Sequence, residues 1–71
     1  MNWIEVIDIN QLRVGDKLSL VMETRVKPDK GIKYEVLSIS ENLIVLTNDI
    51  QLENIIMQHD EFMRYSYFLL K

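Results

Sequence analysis

The 71-residue chain has no cysteine, one histidine, two glycines and one proline. Without cysteine it can form neither disulfides nor thiolate metal sites, and a single histidine falls short of the three or four ligands that zinc requires. No apolar run exceeds four residues, whereas a helix that crosses a bilayer needs about 18. These absences predict a protein with no metal, no cofactor and no membrane association.

The N-terminal segment also lacks the features of a secretory signal peptide. No basic residue precedes Arg13, and Glu5 and Asp8 interrupt its apolar residues. Together with the absence of cysteine, this favours a reducing cytoplasm. The length allows a single domain that spans residues 1–71.

Basic residues are missing from a long part of the chain. Between Tyr34 and Met63 there are six acids and no lysine or arginine, and the net charge is −3. This balance is opposite to that of a typical nucleic-acid-binding domain. Residues 25–33, in contrast, contain four basic residues and one acidic residue. That segment and the tyrosine after it are a candidate nucleic-acid contact, made of Arg25, Lys27, Lys30, Lys33 and Tyr34.

Alternation of apolar and polar residues predicts strands over residues 3–9 and 17–26. Residues 10–13 between them are typical of a turn or a single helical turn. Gly15 and Asp16 indicate a tight turn that leads into the second strand. Pro28 and Gly31 then interrupt the extended pattern, so residues 27–31 are expected to form the loop of a hairpin.

Residues 33–49 are the stretch around which we expect the fold to be organised. They indicate two strands joined by a turn at residues 40–42, where Asn42 suits a left-handed conformation. In a regular strand Val36 faces one side of this hairpin, while Leu37 and Ile39 face the other. The next strand begins Leu43-Ile44-Val45-Leu46 and is apolar on both sides.

The last third of the chain allows two interpretations. Apolar residues from 52 to 63 recur at helical spacing, and Asn48 or Asp49 would cap the helix, with Gln51 in a capping-box position. Alternatively, residues 48–49 turn a second hairpin that pairs 44–47 with 50–53, and a shorter helix follows at about 53–63. We expect a helix in both cases, followed by a strand over residues 65–70.

His59, Asp60 and Glu61 form the only cluster of catalytic residue types. Helical geometry would point His59 and Asp60 about 100° apart, and no nucleophile adjoins them. We therefore predict no catalytic and no metal-binding residues. Aromatic and methionine side chains, the residue types common in protein interfaces, give the candidate partner-binding residues. These are Trp3, Met57, Met63, Tyr65 and Tyr67.

The order of these segments resembles the small SH3-like β-barrels of bacteria and phages. The resemblance rests on LRVGDKLSL, the basic hairpin loop, the pair YEVLSI and LIVLTN, and a last strand after a helical segment. It implies a mainly β (α+β) fold, either a barrel or a strongly bent antiparallel sheet of about five strands, with one short helix before the C-terminal strand. A helix of three turns there would depart from the family's single 3₁₀ turn and would favour a sheet-plus-helix fold. No family motif matches, so the resemblance implies no site residue.

Two functions follow from these observations. The first is a non-enzymatic protein-interaction module, such as a phage or mobile-element accessory protein that binds or inhibits a host protein, with self-association into a homo-oligomer as a further expectation. The alternative is a nucleic-acid-binding barrel that uses the basic loop at residues 25–33.

Overall fold

A computed structural model describes residues 2–48, 50 and 53–71. It is mainly β, as the sequence predicts, with one short α-helix before the last strand in the described part of the chain. The strands are β1 (Trp3–Glu5), β2 (Lys17–Val21), β3 (Ile32–Ile39), β4 (Leu43–Asn48), β5 (Glu53–Gln58) and β6 (Ser66–Leu70), and the helix is α1 (His59–Phe62). Single 3₁₀ turns lie at Ile9–Gln11 and Pro28–Lys30.

The strands form one antiparallel sheet in the order β1-β6-β2-β3-β4-β5. The C-terminal strand β6 therefore lies between β1 and β2, and it pairs with both. The sequence predicts about five strands, and the structure has six across the described residues because β5 replaces most of the expected helix.

One face of the sheet, which we call the inner face, carries the hydrophobic core. Phe62 of α1 lies against this face and stacks on Tyr67, with ring centroids 4.1 Å apart and planes 10° from parallel. Tyr34 meets Tyr67 edge-on at 6.4 Å. The most deeply buried aliphatic side chains come from β2, β3, β4 and β6, and they are Leu18, Val36, Ile44, Leu46 and Leu69.

The hairpin of β3 and β4 forms with the predicted turn. The Ser40 N–H donates to the Leu43 carbonyl at 2.8 Å, and the Ser40 hydroxyl accepts from the Leu43 N–H at 3.2 Å. A β-bulge interrupts the pairing, since Val36 lies opposite Leu46 but Ser38 lies opposite Val45.

The bulge corrects the predicted faces of β3. The extra residue puts Leu37 and Ser38 on the same side, which is the outer face, and returns Ile39 to the inner face. Ile39 accordingly packs against the core. The prediction that Leu37 and Ile39 share a face is wrong.

A helix does form in the last third, before the C-terminal strand, but its predicted extent is wrong in both the long and the short form. Residues 53–58 are strand β5, in which Ile55 pairs with Leu46 and Met57 pairs with Ile44. Helix α1 keeps only four residues. The alternative hairpin is right in pairing this region with β4, but in a different register, with Asn54 opposite Thr47. The proposed caps and turn at Asp49 and Gln51, and Leu52 of the apolar stripe, lie outside the described residues.

The predicted strands at residues 3–9 and 17–26 are shorter than expected. The first ends at Glu5, since Asp8 caps the 3₁₀ turn: its carboxylate accepts from the Asn10 N–H at 2.9 Å, and the Gln11 amide oxygen accepts from the Asp8 N–H at 2.8 Å. The second ends at Val21. The backbone of Asn2 pairs with that of Lys71 beside β1 and β6, through two hydrogen bonds of 2.8 Å.

The turn before β2 matches its prediction. Gly15 adopts φ 93°, a left-handed conformation in which a side chain would strain the backbone. The Asp16 carboxylate accepts a hydrogen bond from the Arg13 N–H at 2.7 Å and closes the turn.

Candidate interaction surfaces

The structure distributes the five predicted partner-binding residues between the core and the surface. Met57 and Tyr67 are buried in the hydrophobic core, which corrects their expected place on a contact surface. Trp3 and Met63 are half-buried, and only Tyr65, at 49% exposure, presents a large open surface. The two buried side chains face inward because their strand partners, Ile44 and Leu20, belong to the inner face.

Burial has an electrostatic consequence at Tyr67. The Tyr67 side chain is buried in the core, and this desolvation raises the pKa of Tyr67 well above its usual range. Neighbouring Tyr34 and Tyr65 and the Glu61 carboxylate add to the rise in pKa. Tyr67 therefore stays neutral under all ordinary conditions and serves as a packing residue.

The basic loop between β2 and β3 is only partly available to a ligand. Lys33 donates from Nζ to the Asp29 and Gly31 carbonyls, both at 2.8 Å, and this holds the loop together. Its ammonium also lies 5.8 Å from the centroid of the Trp3 ring. Arg25, Lys27 and Lys30 are exposed in the loop itself.

Tyr34 is separated from these charges by the strand geometry. It lies opposite Leu18 on the inner face, while its neighbour Lys33 lies opposite Ser19 on the outer face. The loop and the tyrosine therefore do not form one flat stacking platform. A groove of about 230 Å³ beside Trp3 does adjoin Lys33 and Tyr34, but the Lys17 charge at this groove is paired with Glu35.

Another groove, of about 480 Å³, lies between the 3₁₀ turn at Ile9–Gln11 and the β3–β4 turn, and His59 lines it. The His59 ring nitrogen Nε2 is 3.2 Å from the Leu43 carbonyl. The Arg13 guanidinium donates to the Asn10 and Leu12 carbonyls, both at 2.9 Å. The polar groups of this groove thus hold neighbouring backbone in place.

Residues 2–48, 50 and 53–71 contain no group of three histidine, aspartate or glutamate side chains placed to hold a metal ion. Across the same residues, no helix is long and apolar enough to cross a membrane.

One surface was missed by sequence reasoning, and it lies on the outer face of β3, β4 and β5. Val45 lies directly opposite Ile56 on one side and Ser38 on the other, with the bulge residue Leu37 beside Ser38. Leu43 lies two residues before Val45 in β4, on the same face. We call the set Leu37, Leu43, Val45 and Ile56 the outer patch.

The outer patch is exposed and carries no charge. Ile56 is 65% exposed, and Leu37 and Leu43 are each 40% exposed. The remaining outward residues of these strand pairs are the neutral Ser38, Thr47, Asn54 and Gln58, and Glu35, whose carboxylate is paired with Lys17. An apolar centre without charge, bordered by polar groups, is the composition of the buried part of a protein–protein interface.

The sequence contains one signal for this patch. The run from Leu43 to Leu46 is apolar on both faces, so the face that turns away from the core presents Leu43 and Val45 outward. Alternation with Val36 also turns Leu37 outward, but the bulge that turns Ile39 inward has no signal in the sequence.

Comparisons with protein-family models, with curated proteins and with solved structures each found no match.

Proposed function

We propose that the chain is a small non-enzymatic protein-interaction module that binds its partner through the outer patch. The observation that carries the proposal is the exposure of Leu37, Leu43 and Ile56 on one continuous surface of three strands. Isolated exposed apolar residues are common on protein surfaces. A group of them on adjacent strands, with no charged side chain among them, is what marks an interaction site.

The strand order supports the SH3-like barrel as the scaffold of this module. The last strand, β6, lies beside β2, and β3, β4 and β5 follow in sequence order. The bulge at Leu37 bends β3, and the bend lets one strand contribute to both halves of a small barrel. On this arrangement the outer patch covers the second half, away from β1.

The polar groups of the groove that His59 lines support a binding role over a catalytic one. His59 and Ser40 both approach the same backbone carbonyl, that of Leu43, at 3.2 and 3.4 Å. These contacts fix the hairpin turn against α1. A nucleophile activated by a base would instead need a hydrogen bond between the two side chains.

A double substitution in the patch tests the proposal. Leu43→Ser combined with Ile56→Ser removes two apolar side chains of the outer patch and leaves the inner face untouched. Val14→Ser combined with Met22→Ser is the matched control, since both residues are exposed, at 67% and 66%, and lie outside the outer patch. Circular dichroism verifies that all three proteins fold.

Two measurements are then compared. Sedimentation velocity reports self-association, and affinity capture from the native host reports other protein partners, including the host protein that the sequence predicts. We expect the wild type and the control to associate, with themselves or with one partner, and the patch variant to lose that association. Equal behaviour of the three proteins, or a wild-type monomer that captures nothing, would refute the proposal.

A nucleic-acid-binding barrel is the second candidate, and the groove beside Trp3 favours it. An aromatic ring and the Lys33 ammonium face that groove together, which is an arrangement that can hold a base and its phosphate. Against it stand the net charge of −3 and the ion pair of Lys17 with Glu35. Filter binding of single-stranded DNA and RNA at low salt tests it, and retention that is lost on Trp3→Ala and Lys33→Ala would establish it.

A further inference from the structure

The free edge of β5 has a structure that edges of monomeric sheets usually avoid. Strand β5 ends the sheet, and in the described chain it pairs with β4 alone. Unpaired edges invite pairing with other chains, and proteins protect them with lysine, proline, bulges or very short strands. β5 has six residues, no lysine, no proline and no bulge, and from Asn54 to Gln58 it has no charge. The opposite edge, β1, has only three residues.

The pairing with β4 shows which backbone groups of β5 are free. The His59 N–H donates to the Asn42 carbonyl at 3.1 Å, so these two positions form a hydrogen-bonded pair. Hydrogen-bonded pairs alternate along an antiparallel ladder. Ile55 and Met57 therefore bond to β4, and the N–H and C=O groups of Asn54, Ile56 and Gln58 point to the open edge.

We infer that a second copy of this chain pairs with β5, antiparallel, around a two-fold axis at Ile56. In this register Ile56 lies opposite Ile56 of the second copy, and Asn54 lies opposite Gln58 of the second copy. The three residues with free backbone groups thus meet as hydrogen-bonded pairs, which gives about six new hydrogen bonds. The inference rests on the proposed function, because it assigns a partner to Ile56, the residue of the outer patch that lies on β5.

Side-chain matching selects this register over its neighbours. On the inner face it places Ile55 opposite Met57 of the second copy, and Glu53 opposite His59 of the second copy. Apolar side chains thus face apolar ones, amides face amides, and no like charges face each other. A two-fold axis at Asn54 would put Glu53 opposite Ile55, and one at Gln58 would put Asp60 opposite Ile56.

The dimer also continues the outer patch across the interface. Val45 and Ile56 of one copy adjoin Ile56 and Val45 of the other in a single row across four strands. The row places the most exposed residue of the patch, at 65%, at the centre of the contact. Self-complementary surfaces of this kind are the rule in two-fold dimers.

The first test is the mass in solution. Sedimentation equilibrium of the wild type should give twice 8.5 kDa, and Ile56→Lys should weaken the dimer roughly 100-fold, because two like charges would lie opposite each other in an apolar contact. Ile7→Lys is the control: Ile7 is 77% exposed and lies outside the sheet, so the dimer should persist.

Cysteine cross-linking tests the register directly, since the chain has no cysteine of its own. Ile56→Cys should form a disulfide-linked dimer under mild oxidation, because paired Cα atoms of such a ladder are about 5.5 Å apart, within disulfide range. Asn54→Cys should not, because the two copies of residue 54 would be about 13 Å apart along the strands.

Three results would overturn the inference. The first is a wild-type monomer at about 100 μM, a concentration far above the Kd of specific dimers. The second is a dimer that survives Ile56→Lys, and the third is equal cross-linking of Ile56→Cys and Asn54→Cys. A wild-type monomer that binds another protein through the outer patch would overturn the inference and leave the proposed function standing. A wild-type monomer that binds nothing would overturn both. If Ile56→Lys fails to fold, the cross-linking pair decides.

Discussion

Gly31 ends the loop between β2 and β3 at a point where any side chain would meet β2. A Cβ atom built there would overlap the Ser19 hydroxyl and lie 2.6 Å from the Leu20 carbonyl oxygen and 3.2 Å from its carbon. The backbone of Gly31, at φ −73° and ψ 176°, is ordinary extended chain. The cost of Gly31→Ala is therefore steric, and since a backbone atom cannot rotate away, β2 or the loop must move.

Overpacking of this kind costs about 1–3 kcal/mol. A chain of 71 residues has a total stability of roughly 4–10 kcal/mol, so the loss is a large fraction of it. Urea denaturation followed by circular dichroism should show the midpoint falling by about 1–3 M, given a slope near 1 kcal/mol per M for a small domain.

Three further variants separate the steric effect from backbone strain. Gly15 adopts φ 93° with open space around it, so Gly15→Ala should cost about 1–2 kcal/mol through its backbone alone, and Gly15→Asn should cost less because asparagine tolerates that conformation. Ser19→Ala in the Gly31→Ala background should restore part of the loss, since the Leu20 carbonyl remains in the way. A Gly31→Ala protein as stable as the wild type would refute the reasoning.

Substitutions at three other positions probe the core and the turns. Phe62→Ala should cost about 3–5 kcal/mol, because a fully buried ring stacked on Tyr67 is lost, and thermal melting should show Phe62→Leu to be milder. Stability should fall as pH rises above about 10, since the unfolded chain ionises Tyr67 there and the folded chain does not; Tyr67→Phe should flatten that fall in denaturation curves from pH 8 to 11. Asp8→Ala should cost about 0.5–2 kcal/mol by removing the cap of the 3₁₀ turn, and Asp8→Asn, which keeps an acceptor, should cost less in the same urea titration.

The strands that the sequence predicts correctly are those whose local signals agree. The hairpin of β3 and β4 combines apolar β-branched residues, a polar turn and Asn42 at its end. Gly15 and Asp16 likewise predict the turn before β2, since Gly15 adopts a left-handed conformation and the Asp16 carboxylate accepts a backbone hydrogen bond. In these places local preference and tertiary pairing favour the same conformation.

The predicted helix failed because its spacing also fits a strand. Ile55 and Met57 alternate with Asn54 and Ile56, so the segment has an apolar face at a period of two as well as near 3.6. Pairing with β4 buries Ile55 and Met57 and satisfies their backbone groups. This stabilisation comes from pairing with another strand, β4. The local pattern of residues 53–63 carries no information about that pairing.

The outer patch depended on two facts of pairing that no local pattern contains. The bulge puts Ser38 beside Leu37 on the outer face and turns Ile39 to the inner face, and the register of β4 with β5 places Ile56 beside Val45. The sequence does identify residue types suited to interfaces, but two of them, Met57 and Tyr67, are buried in the core.

The place of β6 in the sheet determines when the molecule can fold during its synthesis. β1 pairs only with β6 among the described strands, and β2 needs β6 to complete one of its sides. Until the ribosome has released residues 66–70, the first strand of the chain has no neighbour, and the core lacks Tyr67 and Leu69. The nascent chain therefore holds β2 to β5 without a complete core until residues 66–70 have emerged.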